Sequence, residues 1–138
     1  MSTMRVEVVS AEQEIFSGEA TMLIATAEAG ELGIYPQHTP MLSRLKAGDV
    51  RLKIEGGEEQ VIYISGGIIE VTPKIVTVLS DTAMRADDID EAQALKAKEK
   101  AEQALKDTKA DMNYAKAKAE LAQAAAQLSA LKKLKKLR

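Results

Sequence analysis

Cysteine and tryptophan are absent from the chain, histidine occurs once, and aromatic residues make up only 3% of its 138 positions. Without thiols there is no disulfide framework and no thiolate metal site, which suits a reducing compartment. The lone His38 has no second ligand or nucleophile in view, so a structural or surface histidine is favoured over a catalytic one. The phosphate loop GxxxxGK[ST], HExxH, CxxC and GxSxG are all missing. Gly66-Gly67 in "YISGGIIEV" lacks the lysine and helix start that phosphate binding needs, and reads as a turn between strands. No stretch approaches the ~20 apolar residues of a membrane span, and none at the N-terminus resembles a signal peptide. With 46% hydrophobic residues and so few rings, a core must be built from Val, Ile, Leu and Met.

What is present is distributed unevenly. Residues 1–85 hold 7 Lys/Arg against 12 Asp/Glu, whereas residues 86–138 hold 12 against 9. Every glycine and proline lies at or before Pro73, while alanine rises from 7 in the first 85 residues to 15 in the last 53. These shifts coincide and predict two parts, 1–85 and 86–138.

The first part reads as β. Val6 and Val8 alternate with Arg5 and Glu7, and Val50, Leu52 and Ile54 alternate with Arg51, Lys53 and Glu55. A period of two describes half-buried strands. "TMLIATA" and "IVTVLS" are β-branched runs of strand length, and Gly56-Gly57 offers positive φ angles for a hairpin. Short strands punctuated by turns point to a sandwich or flattened barrel.

The second part reads as two helices. Asp87 or Asp88 can cap the first, with Asp90 and Glu91 in its opening turn. Ile89, Ala92, Leu95 or Ala97, Ala101, Ala104 and Leu105 form its apolar stripe. "KDTKAD" (106–111) interrupts the pattern, and Asp111 can cap a second helix. That helix has a stripe of Ala115, Ala119, Leu121, Ala122 and Ala126, followed by Leu128, Leu131, Leu134 and Leu137. A short break implies an antiparallel hairpin. Alanine gives high helix propensity but buries little surface per contact. The composition therefore fits a hairpin loosely held against its neighbour as well as a permanently docked one. The terminal "KKLKKLR" is amphipathic and basic; it fits a solvated helix end, an acidic protein partner, an anionic membrane or, more weakly, nucleic acid.

Four blocks then converge. "VVSAEQEIFSGEA" (8–20), "GELGIYPQHTPML" (30–42), "YISGGIIEV" (63–71) and "VTVLSDTAMRADDIDEAQA" (76–94), followed by "AELAQAAAQL", resemble the epsilon subunit of bacterial F-type ATP synthases, in order and along the whole chain. The resemblance implies a ten-stranded β-sandwich followed by a C-terminal antiparallel two-helix hairpin. It also implies a non-catalytic rotor subunit on the cytoplasmic face of the bacterial inner membrane, which couples rotation to ATP synthesis and restrains ATP hydrolysis through the hairpin. Its partners would be the gamma subunit, the c ring, and the alpha and beta subunits, with no nucleic acid.

By the same resemblance, Glu31 matches the position that meets the c-ring loops and His38 a position near gamma. The prolines and glycines around them would hold a rigid contact loop, so that less ordering entropy is lost on binding. Lys132, Lys133, Lys135 and Lys136 would face an acidic segment of a beta subunit when the hairpin extends. No cofactor is expected. Some members bind ATP through an "I/L-D-x-x-R-A" motif; here Ile89, Asp90 and Ala94 match, but Gln93 replaces the arginine. A neutral amide lacks the forked, charged contact to phosphate. With Lys100 as a substitute cation, ATP is expected to be at most a weak ligand. The rival reading is a β-sandwich adaptor whose basic helix binds a membrane surface or nucleic acid; an enzyme built on His38 is the third.

Overall fold

The computed structural model describes residues 2–107 and 111–137, with side chains from 114 onward in the second helix. Nine strands come first: β1 (Met4–Ser10), β2 (Glu14–Ala20), β3 (Met22–Ala27), β4 (Gly30–Ile34), β5 (Met41–Lys53), β6 (Gln60–Ile64), β7 (Gly67–Val71), β8 (Ile75–Ser80) and β9 (Ala83–Arg85). A 3-10 turn at Ala86–Asp88 leads to α1 (Glu91–Lys106) and α2 (Asp111–Lys136).

The difference from the ten expected strands lies in β5. This one 13-residue strand serves two layers. Its first half, Met41–Leu45, pairs with β7; its second half, Gly48–Leu52, pairs with β6. The first layer runs β2-β1-β8-β7-β5 and the second β9-β6-β5-β3-β4, so β5 counted in each gives five and five. All pairings are antiparallel among the described residues except β1 with β8, which run parallel.

The alternation read from sequence places its apolar set inward. Val6, Val8, Val50 and Leu52 are fully buried, together with Leu23, Ile34, Ile69, Val71, Val76 and Val78. Arg5 and Lys53 stay exposed because successive side chains of a strand point to opposite faces. The expected Gly56-Gly57 turn is a longer β5–β6 connection in which Gly56 alone has the left-handed φ of 70°.

The helices depart from the sequence reading in detail. Asp90, and neither Asp87 nor Asp88, caps α1: its carboxylate accepts from the Gln93 backbone N–H at 3.1 Å. Asp87 and Asp88 lie in the 3-10 turn that precedes the cap. The buried alanines of α1 are Ala94 and Ala101, whereas Ala92, Leu95, Ala97 and Ala104 are exposed. In α2 the buried positions are Ala117, Ala124, Ala126 and Ala130, and Ala115, Ala119 and Ala122 face solvent. Eight alanines spread over the 26 residues of α2 support several stripes, so packing, and not periodicity, selects the face. The break at 108–110 lies outside the described residues, and so does the side chain of Asp111 that would cap α2.

Candidate functional site: the sheet face under the second helix

β5 and β6 set side by side two residues that a one-sided sheet would leave in water. Asp49 faces Tyr63 across the ladder, and Arg51 faces Val61. All four point away from the sandwich core, on the outer face of the second layer. There α2 covers Val61 and Tyr63 with Ala126 and Ala130, and Ile89 and Ala86 close one side. Leu131, Leu134, Met84 and Ala47 complete the contact half-buried. From α2 the fully buried contribution is thus two methyl-sized side chains, a thin apolar hold by area.

Polar contacts add to it. Burial pushes the Tyr63 phenol above its ordinary range, and a hydrogen bond with the Gln127 side chain partly offsets this. Lys133 Nζ donates to Asp49 Oδ1 at 2.6 Å, and the Asp49 side chain is only 5% exposed. Lys135 Nζ reaches Glu91 Oε2 at 2.9 Å and ties the end of α2 to the start of α1. Of the four basic residues singled out in the tail, Lys133 and Lys135 are therefore engaged within the chain, and Lys132 and Lys136 are exposed.

Glu31 sits on the edge strand β4, just after the Glu28–Ala29 turn, with its side chain 57% exposed. It is paired with Arg51 at 2.9 Å. His38 lies in the β4–β5 connection between Pro36 and Pro40. Its Nδ1–H donates to the Thr39 carbonyl at 2.7 Å. Gln37 beside it holds a left-handed φ of 65° and donates its backbone N–H to Pro73 O, which pins the loop to the sandwich. Glu31, at the start of β4, is thus connected to the sheet face under the helices through Arg51, whereas His38 lies beyond the other end of β4.

Of the residues expected to contact a nucleotide, Ile89, Asp90 and Ala94 lie together at the start of α1 and Lys100 lies apart. Ile89 is buried in the hairpin interface, Ala94 is buried in α1, and the Asp90 carboxylate is occupied as the helix cap. Lys100 is exposed and about 15 Å further along the helix axis at ~1.5 Å per residue. The hollow around Ser65, Gly66, Gly67, Ser80 and Asp81 has no basic side chain in its wall, in keeping with a turn. No group of three or more His, Asp or Glu side chains suited to a metal ion occurs among the described residues. No described helix is long and apolar enough to cross a membrane.

A second outer face is bare. On the first layer, Leu42, Ile68 and Leu79 are 70%, 42% and 49% exposed. Ile68 and Leu79 are directly paired across β7 and β8. Sequence reasoning missed Asp49, Arg51 and this strip, because which strands become neighbours is not written in a period of two.

Residues 3–86 match the family "ATP synthase, Delta/Epsilon chain, beta-sandwich domain", and residues 87–132 match "ATP synthase, Delta/Epsilon chain, long alpha-helix domain". The chain is 58% identical to the ATP synthase epsilon chain of Nitrosococcus oceani over 134 residues, covering 97% of this chain and 96% of the relative. It is 54% identical to that of Nitrosospira multiformis over 136 residues, covering 99% and 98%. Its fold is similar to a chain of the Euglena gracilis mitochondrial ATP synthase OSCP/F1/c-ring structure, with a TM-score of 0.85 at 20% identity, covering 95% of this chain and 82% of that one. A chain of the Tetrahymena thermophila mitochondrial ATP synthase central stalk and c ring matches with a TM-score of 0.67 at 12% identity, covering 94% and 97%.

Proposed function

The chain belongs to the ATP synthase delta/epsilon family, and from that we propose that it is a non-catalytic central-stalk (rotor) subunit of a proton-translocating F-type ATP synthase. The observation that carries the reading is an end-to-end match to epsilon chains. In this role residues 1–85 form the rotor-bound unit and residues 86–138 the mobile regulatory hairpin.

The pinned loop of His38 and the bare strip of Leu42, Ile68 and Leu79 suit the gamma shaft, because an apolar patch on a rigid surface loses little ordering entropy on binding. Glu31, exposed on the edge strand, suits the polar loops of the c ring. The subunit then sits at the cytoplasmic face of the bacterial inner membrane, held there by the complex alone.

The hairpin carries the restraint on ATP hydrolysis. Its hold on the sandwich is thin and partly ionic, which permits release. Once α2 leaves, Lys132, Lys133, Lys135 and Lys136 are free to face an acidic segment of a beta subunit. Each exposed pair contributes only ~0–1 kcal/mol, so four act by steering and by summing. The adaptor reading is weaker, because Lys133 and Lys135 already have partners within the chain.

Deleting residues 107–138 is the test. ATP hydrolysis by the assembled enzyme should rise several-fold, while gamma and the c subunit are still recovered with the shortened chain. Hydrolysis unchanged by the deletion removes the inhibitory role, and failure to recover gamma removes the rotor role.

A further inference from the structure

The docked hairpin and the edge strand are joined by one chain of charges. Glu31 Oε1 lies 2.9 Å from Arg51 Nη2, Arg51 Nε lies 3.3 Å from Asp49 Oδ2, and Asp49 Oδ1 lies 2.6 Å from Lys133 Nζ. Asp49 is buried between two cations, and Arg51 is stretched between two carboxylates. The strands impose this order. Asp49 and Arg51 are two residues apart on β5 and share a face; Glu31 lies on that face two strands away, beyond β3. Arg51 must reach across β3 to meet it. The reach has a local consequence: Arg51 Nε is buried and makes no hydrogen bond, although Asp49 Oδ2 is close by. An unpaired buried donor beside an acceptor is a contact waiting to close.

We propose that Glu31, Arg51, Asp49 and Lys133 form a relay in which engagement of Glu31 by a partner loosens the hairpin from the sandwich. Glu31 draws the Arg51 guanidinium outward. When a cationic or amide-bearing loop of a partner takes Glu31, Arg51 is released, and its Nε closes on Asp49. The Asp49 charge, already paired with Arg51 at 3.3 Å, is then met more fully by it, and Lys133 loses part of the attraction that holds the end of α2. Asp49 and Arg51 are positioning residues for the hairpin. By reciprocity, an extended hairpin strengthens the Glu31 contact by the same factor. The partner arm of this relay rests on the rotor reading; the coupling within the chain does not.

Hydrogen–deuterium exchange of the free, full-length chain tests it, with the backbone amides of residues 124–136 as readout and β1 as an internal control for folding. Asp49→Asn should speed exchange of 124–136 strongly and leave β1 protected. Glu31→Gln, although Glu31 pairs with Arg51 and not with the hairpin, should speed the same amides by about fivefold or more, the lower end of ordinary coupling between sites. In a Lys133→Gln background that effect of Glu31→Gln should vanish, whereas Lys133→Arg should retain it. Unchanged or slowed exchange in Glu31→Gln overturns the relay, as does an equal effect with and without Lys133. Because no other subunit is present, failure here is distinct from failure of the rotor reading, which recovery of gamma and c decides.

Discussion

Gly67 shows how a single residue can be fixed by a neighbour far along the chain. A Cβ built on it would lie 2.0 Å from the Leu79 carbonyl oxygen and 3.0 Å from Ser80 Cα, at a φ of 153°. The obstacle is backbone in the paired strand β8, which cannot swing away as a side-chain tip can. Gly67→Ala is expected to cost at least about 3 kcal/mol, combining the clash with an unfavourable φ, read as a fall in urea midpoint. Gly30→Ala, with a φ of 132° and nothing within 4 Å, should cost only the conformational part, about 1–2 kcal/mol. The turn at Gly66-Gly67 was legible from its two glycines between strand-like runs. The close approach of Leu79 was not, because it depends on the β7–β8 register. Asp49 carried one faint signal, a carboxylate two residues before an arginine in an otherwise alternating strand. Its burial comes from α2, which no reading of β5 alone could supply.

At the scale of elements, the strands were the readable part and the helix faces were not. A strand with Val6 and Val8 on one side and Arg5 and Glu7 on the other admits one orientation. A helix with Ala115, Ala117, Ala119, Ala122, Ala124, Ala125, Ala126 and Ala130 admits several. What selects among them is the facing surface, and the largest buried side chain of that surface is Tyr63, 1% exposed. Desolvation raises the pKa of its phenol, with the Gln127 hydrogen bond opposing. For an acid raised by folding, the neutral form is favoured in the folded state. The associated stability is therefore complete below the ordinary tyrosine pKa of ~10 and lost as pH climbs through it toward the folded value. Docking of α2 should weaken above about pH 10, and this component should be missing in Tyr63→Phe. That variant should also lose about 0.5–1.5 kcal/mol at neutral pH for the hydrogen bond. Pairing each with denaturant unfolding, and taking the difference between wild type and Tyr63→Phe, isolates the phenol from other groups that titrate in the same range. A pH dependence identical in the two proteins would remove Tyr63 from the account.

For the whole molecule, the same contacts that dock the hairpin bear on whether a nucleotide could lock it. A ligand stabilises one arrangement only through interactions it makes better there. In the docked form the residues that match a nucleotide motif are already in use: Ile89 packs among Val61, Tyr63, Ala126 and Ala130, and Asp90 caps α1 through the Gln93 backbone N–H. The Gln93 side chain is exposed and neutral, so it offers no charge-assisted fork to phosphate. Loss of a hydrogen bond to a charged group costs ~1.5–3 kcal/mol, roughly a ten- to hundredfold loss in affinity. We therefore expect isothermal titration of the full chain with ATP to show no saturable binding well below millimolar. Gln93→Arg restores the missing cation on an exposed turn without touching the cap, since Asp90 accepts from the backbone and not the side chain. If ATP binds only after that substitution, the docked face needs no more than one added charge to become a nucleotide-responsive switch. If wild type binds tightly, Ile89 or Asp90 must leave the positions described above to receive it. Exchange protection of residues 124–136 would then change with ATP, a result that the ion-paired latch of Asp49 and Lys133 alone does not produce.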